Sequence, residues 1–167
     1  VWVPASYDPE LDLAYYGTAP TYDTAPLLHS LNEEDVNNDA LYTNATIALR
    51  PKTGELVWYF QHMPNDQWDL DWVFERQIVE LQVDGALRKV IVTAGKMALY
   101  DALDAETGKY LSSFDVGIQN IVTAIDPDTG DKTINPRAIP NAEDANLLCP
   151  MANGGRNWPS ASINPNT

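Results

Sequence analysis

A short motif occurs three times in this chain and constrains its fold more than any other feature of the sequence. Residues 47–58, 100–111 and 123–134 share an alanine, a hydrophobic residue, three variable positions, a threonine and a glycine. In each copy, hydrophobic runs flank a turn rich in Asp, Thr and Gly, which is the pattern of a strand, a tight turn and a returning strand. The repeat therefore predicts a series of antiparallel units.

The rest of the chain carries strand signals and little helical periodicity. Short β-branched and aromatic runs bounded by turn residues predict strands at 11–18, 41–50, 55–62, 88–95, 97–104 and 110–116, with a further hairpin signal at 83–85. We predict an all-β fold. Repeated antiparallel units favour part of a β-propeller, with about three to four blades at roughly 40 to 50 residues each. A β-sandwich with similar turns is the alternative.

Length and charge limit the organisation and the function of the chain. With 167 residues and 44% hydrophobic content, we expect one domain spanning 1–167, with loop excursions at 20–40 and 135–157. A net charge of -14 with only ten Lys and Arg argues against a nucleic-acid partner. No apolar run is long enough to predict a membrane span. Neither end has the look of a natural terminus, so we expect a piece of a longer protein.

The segment NDQWDLDW at 65–72 combines aspartates with tryptophans. If its WDLDW part, residues 68–72, is extended, Asp69 and Asp71 lie on one face, roughly 6 to 7 Å apart. A bound cation or a raised pKa would relieve their repulsion, and both mark functional sites. Trp68 and Trp72 would then make the surroundings dry and Asp69 or Asp71 a stronger base. The alternatives are solvated aspartates in a turn between blades and tryptophans packed in the core.

Other familiar sites are missing from the sequence. It has no Gly-rich phosphate loop, no Cys-x-x-Cys and no Gly-x-Ser-x-Gly, which excludes the nucleotide, zinc-ribbon and α/β-hydrolase interpretations. His29 and His62 have no ligand spacing and are interpreted as structural or solvated. Cys149, the one cysteine, is either a buried thiol or pairs with a residue outside this chain.

Several stretches resemble the quinoprotein alcohol dehydrogenases. The resemblance covers 2–18, 38–72, 90–109 and 148–167, and its most specific part is the combination of YDPELDLAYYGT, NDQWDLD and GGRNWP. It implies an eight-bladed propeller that oxidises an alcohol or sugar hydroxyl with pyrroloquinoline quinone (PQQ) and a metal ion. It also implies a periplasmic location and a c-type cytochrome as electron acceptor, and a partner for Cys149 beyond Thr167.

The resemblance also assigns roles to single residues. Asp69 matches the catalytic aspartate, which accepts the substrate hydroxyl proton while hydride leaves for the quinone. Trp2 matches the indole under the planar quinone. Lys96 matches a cation that touches the quinone oxygens. Asn157 matches a polar contact at the cofactor edge, and Trp158 is its neighbour in the cofactor-binding segment.

The metal site implied by the resemblance departs from the family pattern. Most members read YYGTGN, with the Asn as a metal ligand, whereas this chain reads YYGTAP, which places Pro20 at that position. Either Asp23 rebuilds the site, or the metal relies on Asp69, Asp71 and ligands outside this chain. We expect calcium by default. Asp71 matches an extra carboxylate that accompanies lanthanide use in some relatives of methanol dehydrogenase.

Two other functions stay open at this point. The same repeats could build a cofactor-free propeller scaffold for protein partners, because fold does not determine function. The other alternative is an inactive quinoprotein relative, for which Pro20 is the best evidence, and the dehydrogenase ranks first. We also expect the isolated chain to be unstable and inactive without the remaining blades, because a few blades would expose strand edges and apolar faces.

Overall fold

The structure is a computed structural model and describes residues 3–21, 38–140 and 146–164. In this part of the chain the regular elements are strands and one 3-10 turn, Pro136–Ala138. The strands are β1 (Ser6–Asp8), β2 (Leu13–Gly17), β3 (Ala45–Leu49), β4 (Leu56–Gln61), β5 (Gln77–Val83), β6 (Ala86–Ala94), β7 (Leu99–Asp104), β8 (Tyr110–Asp115), β9 (Val122–Ile125) and β10 (Lys132–Ile134). The prediction of an all-β chain is confirmed. No helix among the described residues is long and apolar enough to cross a membrane.

The strands form three antiparallel sheets in which sequence neighbours pair. Sheet I has the order β1-β2-β3-β4, sheet II the order β5-β6-β7-β8, and sheet III contains β9 and β10. A four-stranded meander is the unit of a propeller blade. Three sheets, the third with two strands in the described part of the chain, lie at the low end of the predicted three to four blades.

Five of the six predicted strands contain an observed strand, and the sixth, 88–95, overlaps β6. The third copy of the motif, 123–134, covers most of β9 and β10. β1 and β5 lie outside all of these predictions. β1 is only three residues long, too short to give a periodic signal. The β5 sequence QIVELQV carries polar residues among its apolar ones and is largely exposed at its centre. It pairs with β6 over its full length, from Gln77 opposite Val92 to Val83 opposite Ala86. Cross-strand pairing, which a single run of residues does not reveal, makes it a strand.

The three Thr-Gly turns share one backbone conformation. Gly54, Gly108 and Gly130 have φ values of 72°, 73° and 79°, in the left-handed region where a residue with a Cβ atom is strained. In the third copy, Asp126 Oδ1 accepts hydrogen bonds from the backbone amides two and three residues ahead, at 2.8 and 2.9 Å. The repeated glycine is therefore a requirement of the turn.

Aromatic side chains from one sheet pack on the Thr-Gly turn of the next sheet. Trp58 of β4 is 8% exposed and donates its Nε1 hydrogen to the Ala105 carbonyl at 3.2 Å. A Cβ atom at Gly108 would lie only 2.6 Å from the Trp58 ring. Tyr110 of β8 stands in the same relation to Gly130, at 2.4 Å. The motif therefore joins successive sheets as well as successive strands.

Two hydrophobic clusters complete the packing. The first lies between sheets I and II and contains Leu13, Tyr15, Ala48, Trp58, Ile91, Leu103, Ala105 and Tyr110. The second contains residues of the connection between β4 and β5 together with residues of β7, β9 and the segments beside them: Met63, Leu70, Trp72, Met97, Leu99, Ile121, Val122 and Ala138. The connection that carries the candidate aspartates is therefore anchored in the core.

A buried polar network lies beside the same connection and is centred on His62. Its Nδ1 is 2.7 Å from Asp101 Oδ2 and its Nε2 is 2.7 Å from Thr46 Oγ1. Lys132 Nζ lies 2.8 Å from the same Asp101 oxygen. Burial lowers the pKa of His62 to about 4, although its hydrogen bond with Asp101 acts in the opposite direction. His62 is therefore a neutral structural residue at pH 7, whereas His29 lies outside the described residues.

Cys149 is exposed. The interpretation of this residue as a buried thiol is therefore wrong. Pairing with a residue outside this chain stays a prediction.

Candidate functional site

The connection between β4 and β5 carries both candidate carboxylates and brings them to one cation. Lys96 stands just after β6, and its Nζ lies 2.7 Å from Asp71 Oδ2 and 3.1 Å from Asp69 Oδ2. The same nitrogen donates to the Asp69 backbone carbonyl at 2.9 Å. The side chain of Asp71 is 5% exposed and that of Asp69 is 42% exposed. The site thus combines a buried carboxylate with one that is reachable from solvent.

The charges of this group are only partly balanced. Burial lowers the pKa of Lys96, but its hydrogen bonds to Asp71 and Asp69 outweigh burial and raise that pKa above its usual value. Lys96 is therefore charged at neutral pH and offsets part of the repulsion between the carboxylates. Lys96 therefore supplies part of the charge compensation that the sequence predicted from a bound cation.

The expectation that residues 68–72 are extended is wrong at Asp69, which has a φ of 61°. The backbone amides of Trp68 and Leu70 both donate to the carboxylate of Asp66, each at 2.8 Å. The chain wraps around that carboxylate and does not continue as a strand. The two candidate carboxylates therefore converge through a turn and a shared cation, with no strand alternation involved.

The two tryptophans of the segment belong to the protein interior. Trp72 is fully buried and stacks on His62 with a centroid distance of 4.3 Å and an interplanar angle of 2°. Trp68 donates its Nε1 hydrogen to the Ala138 carbonyl at 2.7 Å. Both side chains follow the core-packing alternative.

The glycine pair of the GGRNWP segment packs against Lys96. The Gly155 amide donates to the Lys96 carbonyl at 2.8 Å. A Cβ atom at Gly154 would lie 2.7 Å from the Cβ of Lys96, so a larger residue would push the segment away. Beside this contact is a cavity of about 400 Å³, lined by Tyr100, Gly154, Gly155, Arg156, Asn157, Pro159 and Ala161.

Asn157 and Trp158 follow the glycine pair in the same segment. Asn157 lines the cavity, donates from Nδ2 to the Asn153 carbonyl at 2.8 Å and accepts from the Trp158 amide at 2.9 Å. Trp158 is 59% exposed. Trp2 lies outside the described residues. The roles of Asn157, Trp158 and Trp2 at a cofactor therefore stay predictions.

A complete set of metal ligands is not present in the described part of the chain. No group of three or more His, Cys, Asp or Glu residues there could hold a metal ion. Pro20 is buried, and Asp23 lies outside the described residues. However, Asp69 Oδ1 is shielded from solvent and accepts no hydrogen bond from the described residues. A buried anionic oxygen without a donor is costly, so Asp69 and Asp71 fit a hard cation with further ligands from elsewhere.

Two residues important for this geometry were missed from sequence. Asn44 Nδ2 donates to Asp66 Oδ2 at 2.6 Å, and Asn44 Oδ1 accepts from the Trp72 amide at 3.2 Å. The Asn-Asp pair at 65–66, directly before QWD, was a signal for Asp66. Nothing in the spacing pointed to Asn44, which is 22 residues away from Asp66.

Comparison with known proteins gives the family. The PQQ family model, described as glucose/ethanol/alcohol dehydrogenase, beta-propeller domain, matches residues 1–119. The chain belongs to this PQQ dehydrogenase family. The prediction of a propeller and the resemblance to quinoprotein dehydrogenases are thereby confirmed. The Lys96 cation beside the Gly154–Gly155 pair fits a flat, anionic cofactor such as PQQ.

Individual relatives of this PQQ-family chain agree with the assignment. Quinohemoprotein alcohol dehydrogenase ADH IIB of Pseudomonas putida is 33% identical over 100% of this chain and 24% of its own length. The dehydrogenase subunit of a quinone alcohol dehydrogenase of Acetobacter aceti is 37% identical over 83% of this chain and 18% of its own length. The chain therefore spans a quarter or less of these relatives.

Solved structures of two dehydrogenases superpose on almost the whole chain. A quinohemoprotein alcohol dehydrogenase of Pseudomonas putida, ADHIIG, matches with a TM-score of 0.87 and 31% identity, over 99% of this chain and 24% of its own. A europium-containing methanol dehydrogenase matches with a TM-score of 0.86 and 27% identity, over 99% of this chain and 28% of its own.

Proposed function

We propose that the protein containing this chain oxidises an alcohol or sugar hydroxyl with PQQ as hydride acceptor. One observation carries the proposal: in a chain of the PQQ family, Asp69 and Asp71 converge on Lys96 Nζ, at 3.1 and 2.7 Å. The Gly154–Gly155 pair packs against the same lysine. PQQ, when bound, supplies the acceptor for the hydride that leaves the alcohol carbon. A scaffold has no reason to collect a base and a cation in this way.

Asp69 is the proposed base. Its side chain is 42% exposed and its Oδ1 is shielded, so a substrate hydroxyl would approach from the side of Oδ2. Lys96 holds Asp69 by contacts to both its carboxylate and its backbone carbonyl. The substrate hydroxyl proton would move to this carboxylate. Lys96 would also stabilise negative charge that develops on a bound acceptor. Trp2 would lie under the cofactor, with Asn157 and Trp158 at its edge.

We propose calcium as the metal, held by Asp69, Asp71 and ligands outside the described residues, where it would act as a Lewis acid. A lanthanide is the alternative, because hard trivalent ions favour additional anionic oxygens. Asp71 Oδ2 already lies 2.7 Å from Lys96 Nζ. That contact offsets one negative charge and so favours the divalent ion.

The same reasoning extends to the surroundings of the full protein. The relative from Pseudomonas putida is named a quinohemoprotein, which supports a haem protein, here a c-type cytochrome, as electron acceptor. We propose a periplasmic location for this electron transfer. The remaining propeller blades of the same protein would complete the site. Alcohol-dependent cytochrome reduction in a periplasmic fraction would support this arrangement, and activity confined to the cytoplasm would contradict it.

The decisive test is Asp69→Asn in the full-length protein, supplied with PQQ and either calcium, a light lanthanide or chelator. We expect loss of dye-linked alcohol oxidation by about 10²-fold or more, with PQQ binding retained in a fluorescence titration. Asp126→Asn, in an exposed turn, is the matched control and should keep full activity.

The possible results separate the competing functions. Activity retained by Asp69→Asn would rule out the assignment of the base. A wild-type protein that neither binds PQQ nor turns over alcohol with any metal would contradict the function, and would favour a scaffold or an inactive relative, which Pro20 would then explain.

A further inference from the structure

The loop that carries Asp69 is held at both ends by two buried polar side chains. Asp66 accepts the amides of Trp68 and Leu70 on separate oxygens, each at 2.8 Å. Asn44 donates to Asp66 Oδ2 at 2.6 Å and accepts the Trp72 amide at 3.2 Å. The donating amides lie on both sides of Asp69, Trp68 before it and Leu70 and Trp72 after it, and the amide of Asp69 is not among them.

We propose that Asn44 and Asp66 form a positioning pair that holds the Asp69 carboxylate in its reactive orientation. This inference rests on the proposed function and adds two residues that do not touch substrate or cofactor. Asn44 and Asp66 are 0% and 1% exposed, so water cannot replace their hydrogen bonds, and each lost bond leaves a buried amide unpaired.

The pair is needed because Asp69 adopts a backbone conformation that its sequence does not favour. Its φ of 61° lies in the left-handed region, where non-glycine residues are uncommon, although Asp and Asn enter it more readily than other residues. Released from the pair, residues 68–70 would return towards extended backbone. Asp69 would then leave Lys96 Nζ, which now lies 3.1 Å from its Oδ2.

Asn44 itself is fixed from a different part of the fold. It stands directly before β3 with a φ of 44°, and its carbonyl accepts the His62 amide at 2.8 Å. Asparagine tolerates this conformation better than most residues. Asn44 thus connects the start of β3 to the loop that carries Asp69. A reacting group is held more precisely by a regular element than by a loop alone.

The test uses two isosteric variants of the full-length protein, Asp66→Asn and Asn44→Asp. The first removes the charge and one acceptor. The second removes the donor and sets two carboxylates against each other. Asp126→Asn is the matched control, because Asp126 also accepts two backbone amides, at 2.8 and 2.9 Å, but in an exposed turn away from Asp69.

We expect both variants to lower kcat by about 10- to 100-fold, the scale of misplacing a reacting group, while KM and the PQQ dissociation constant change by less than about threefold. Amide hydrogen exchange at Trp68, Leu70 and Trp72 should become at least about tenfold faster. The control should change neither quantity. A role limited to stability would lower the amount of folded enzyme without this separation of kcat from KM.

Each other outcome overturns a stated part of the reasoning. A kcat within about twofold of wild type would show that Asp69 needs no such support. Unchanged exchange would show that these bonds do not hold the loop. If a single variant fails to fold, the double variant Asn44→Asp/Asp66→Asn replaces it, because a donor again faces an acceptor. A kcat of the double variant no higher than that of the single variant that folds would then refute the pair.

The test also separates this inference from the proposed function. If Asp69→Asn abolishes turnover and the pair variants do not, only the positioning role fails. If wild-type protein shows no PQQ-dependent turnover, the proposed function fails, and the positioning role fails with it.

Discussion

Replacement of Gly108 by alanine tests how the sheets are joined. Gly108 has a φ of 73°, and a Cβ atom there would lie 2.6 and 2.7 Å from two carbon atoms of the Trp58 ring. The ring has no room to retreat, because it is 8% exposed and its Nε1 is bonded to Ala105. Gly85 is the matched control, since it has a φ of 79° and open space around its Cβ position.

The two substitutions share one cost and differ in another. An L-residue in the left-handed region costs roughly 1–2 kcal/mol, and the smaller entropy of the unfolded alanine chain offsets about 0.4–1 kcal/mol. Gly85→Ala should therefore lose about 1 kcal/mol, within a range of roughly 0–1.6 kcal/mol. Gly108→Ala adds overpacking of about 1–3 kcal/mol, for a total near 2–4 kcal/mol.

The measurement is the free energy of unfolding of the full-length protein, from urea titrations followed by tryptophan fluorescence. Gly130→Ala provides an internal repeat, because its Cβ would lie 2.4 Å from Tyr110, and it should resemble Gly108→Ala. Equal losses for Gly85→Ala and Gly108→Ala would refute the reasoning, since the aromatic contact would then contribute nothing beyond the turn itself.

Two further predictions concern charge. Lys96→Met should destabilise the chelator-treated protein by about 3 kcal/mol, because it removes the cation that pairs with the buried Asp71 carboxylate. Calcium should reduce that loss in urea titrations, and Lys96→Arg is the control. An equal loss with and without calcium would contradict the metal site. Burial lowers the pKa of His62 to about 4, below its unfolded value, so the unfolded state binds the extra proton and stability is lost as pH falls from about 6.5 to 4. Between pH 7 and pH 5 this loss of stability should be about 2 kcal/mol, and His62→Gln should show a correspondingly smaller loss over the same interval. Burial raises the pKa of Asp66, and this shift changes stability in the opposite direction. Because both proteins contain Asp66, its contribution cancels in the comparison. An identical pH dependence in both proteins would contradict the assignment.

The fold followed from sequence where the signal was local. The Thr-Gly motif marked its turns because glycine is required at positive φ, and hydrophobic runs beside it marked the strands. β5 was missed because its partner, β6, determines it. The joining of sheets was also hidden, since the contact of Trp58 with Gly108 depends on residues 50 positions apart in the chain.

The site followed from sequence only as far as residue identity. The resemblance selected Asp69, Asp71 and Lys96. In the structure both carboxylates lie within 3.1 Å of Lys96 Nζ. The conformation that achieves this was predicted wrongly, because alternation along a strand was assumed where Asp66 imposes a turn. A buried carboxylate that binds backbone amides leaves no periodic signal, so only three-dimensional structure reveals it.

Gly54 extends the argument about the sheets to the rest of the protein. It occupies the same motif position as Gly108, with a φ of 72°, yet no described side chain lies within 4 Å of its Cβ position. If each sheet places an aromatic side chain on the turn of the next, as Trp58 and Tyr110 do, another blade should cover Gly54 in the full-length propeller. Gly54→Ala should then lose about 2–4 kcal/mol there, as overpacking predicts, and not the smaller loss of Gly85→Ala. A loss equal to that of Gly85→Ala would mean that the first turn is uncovered and that the rule for joining sheets does not hold around the ring.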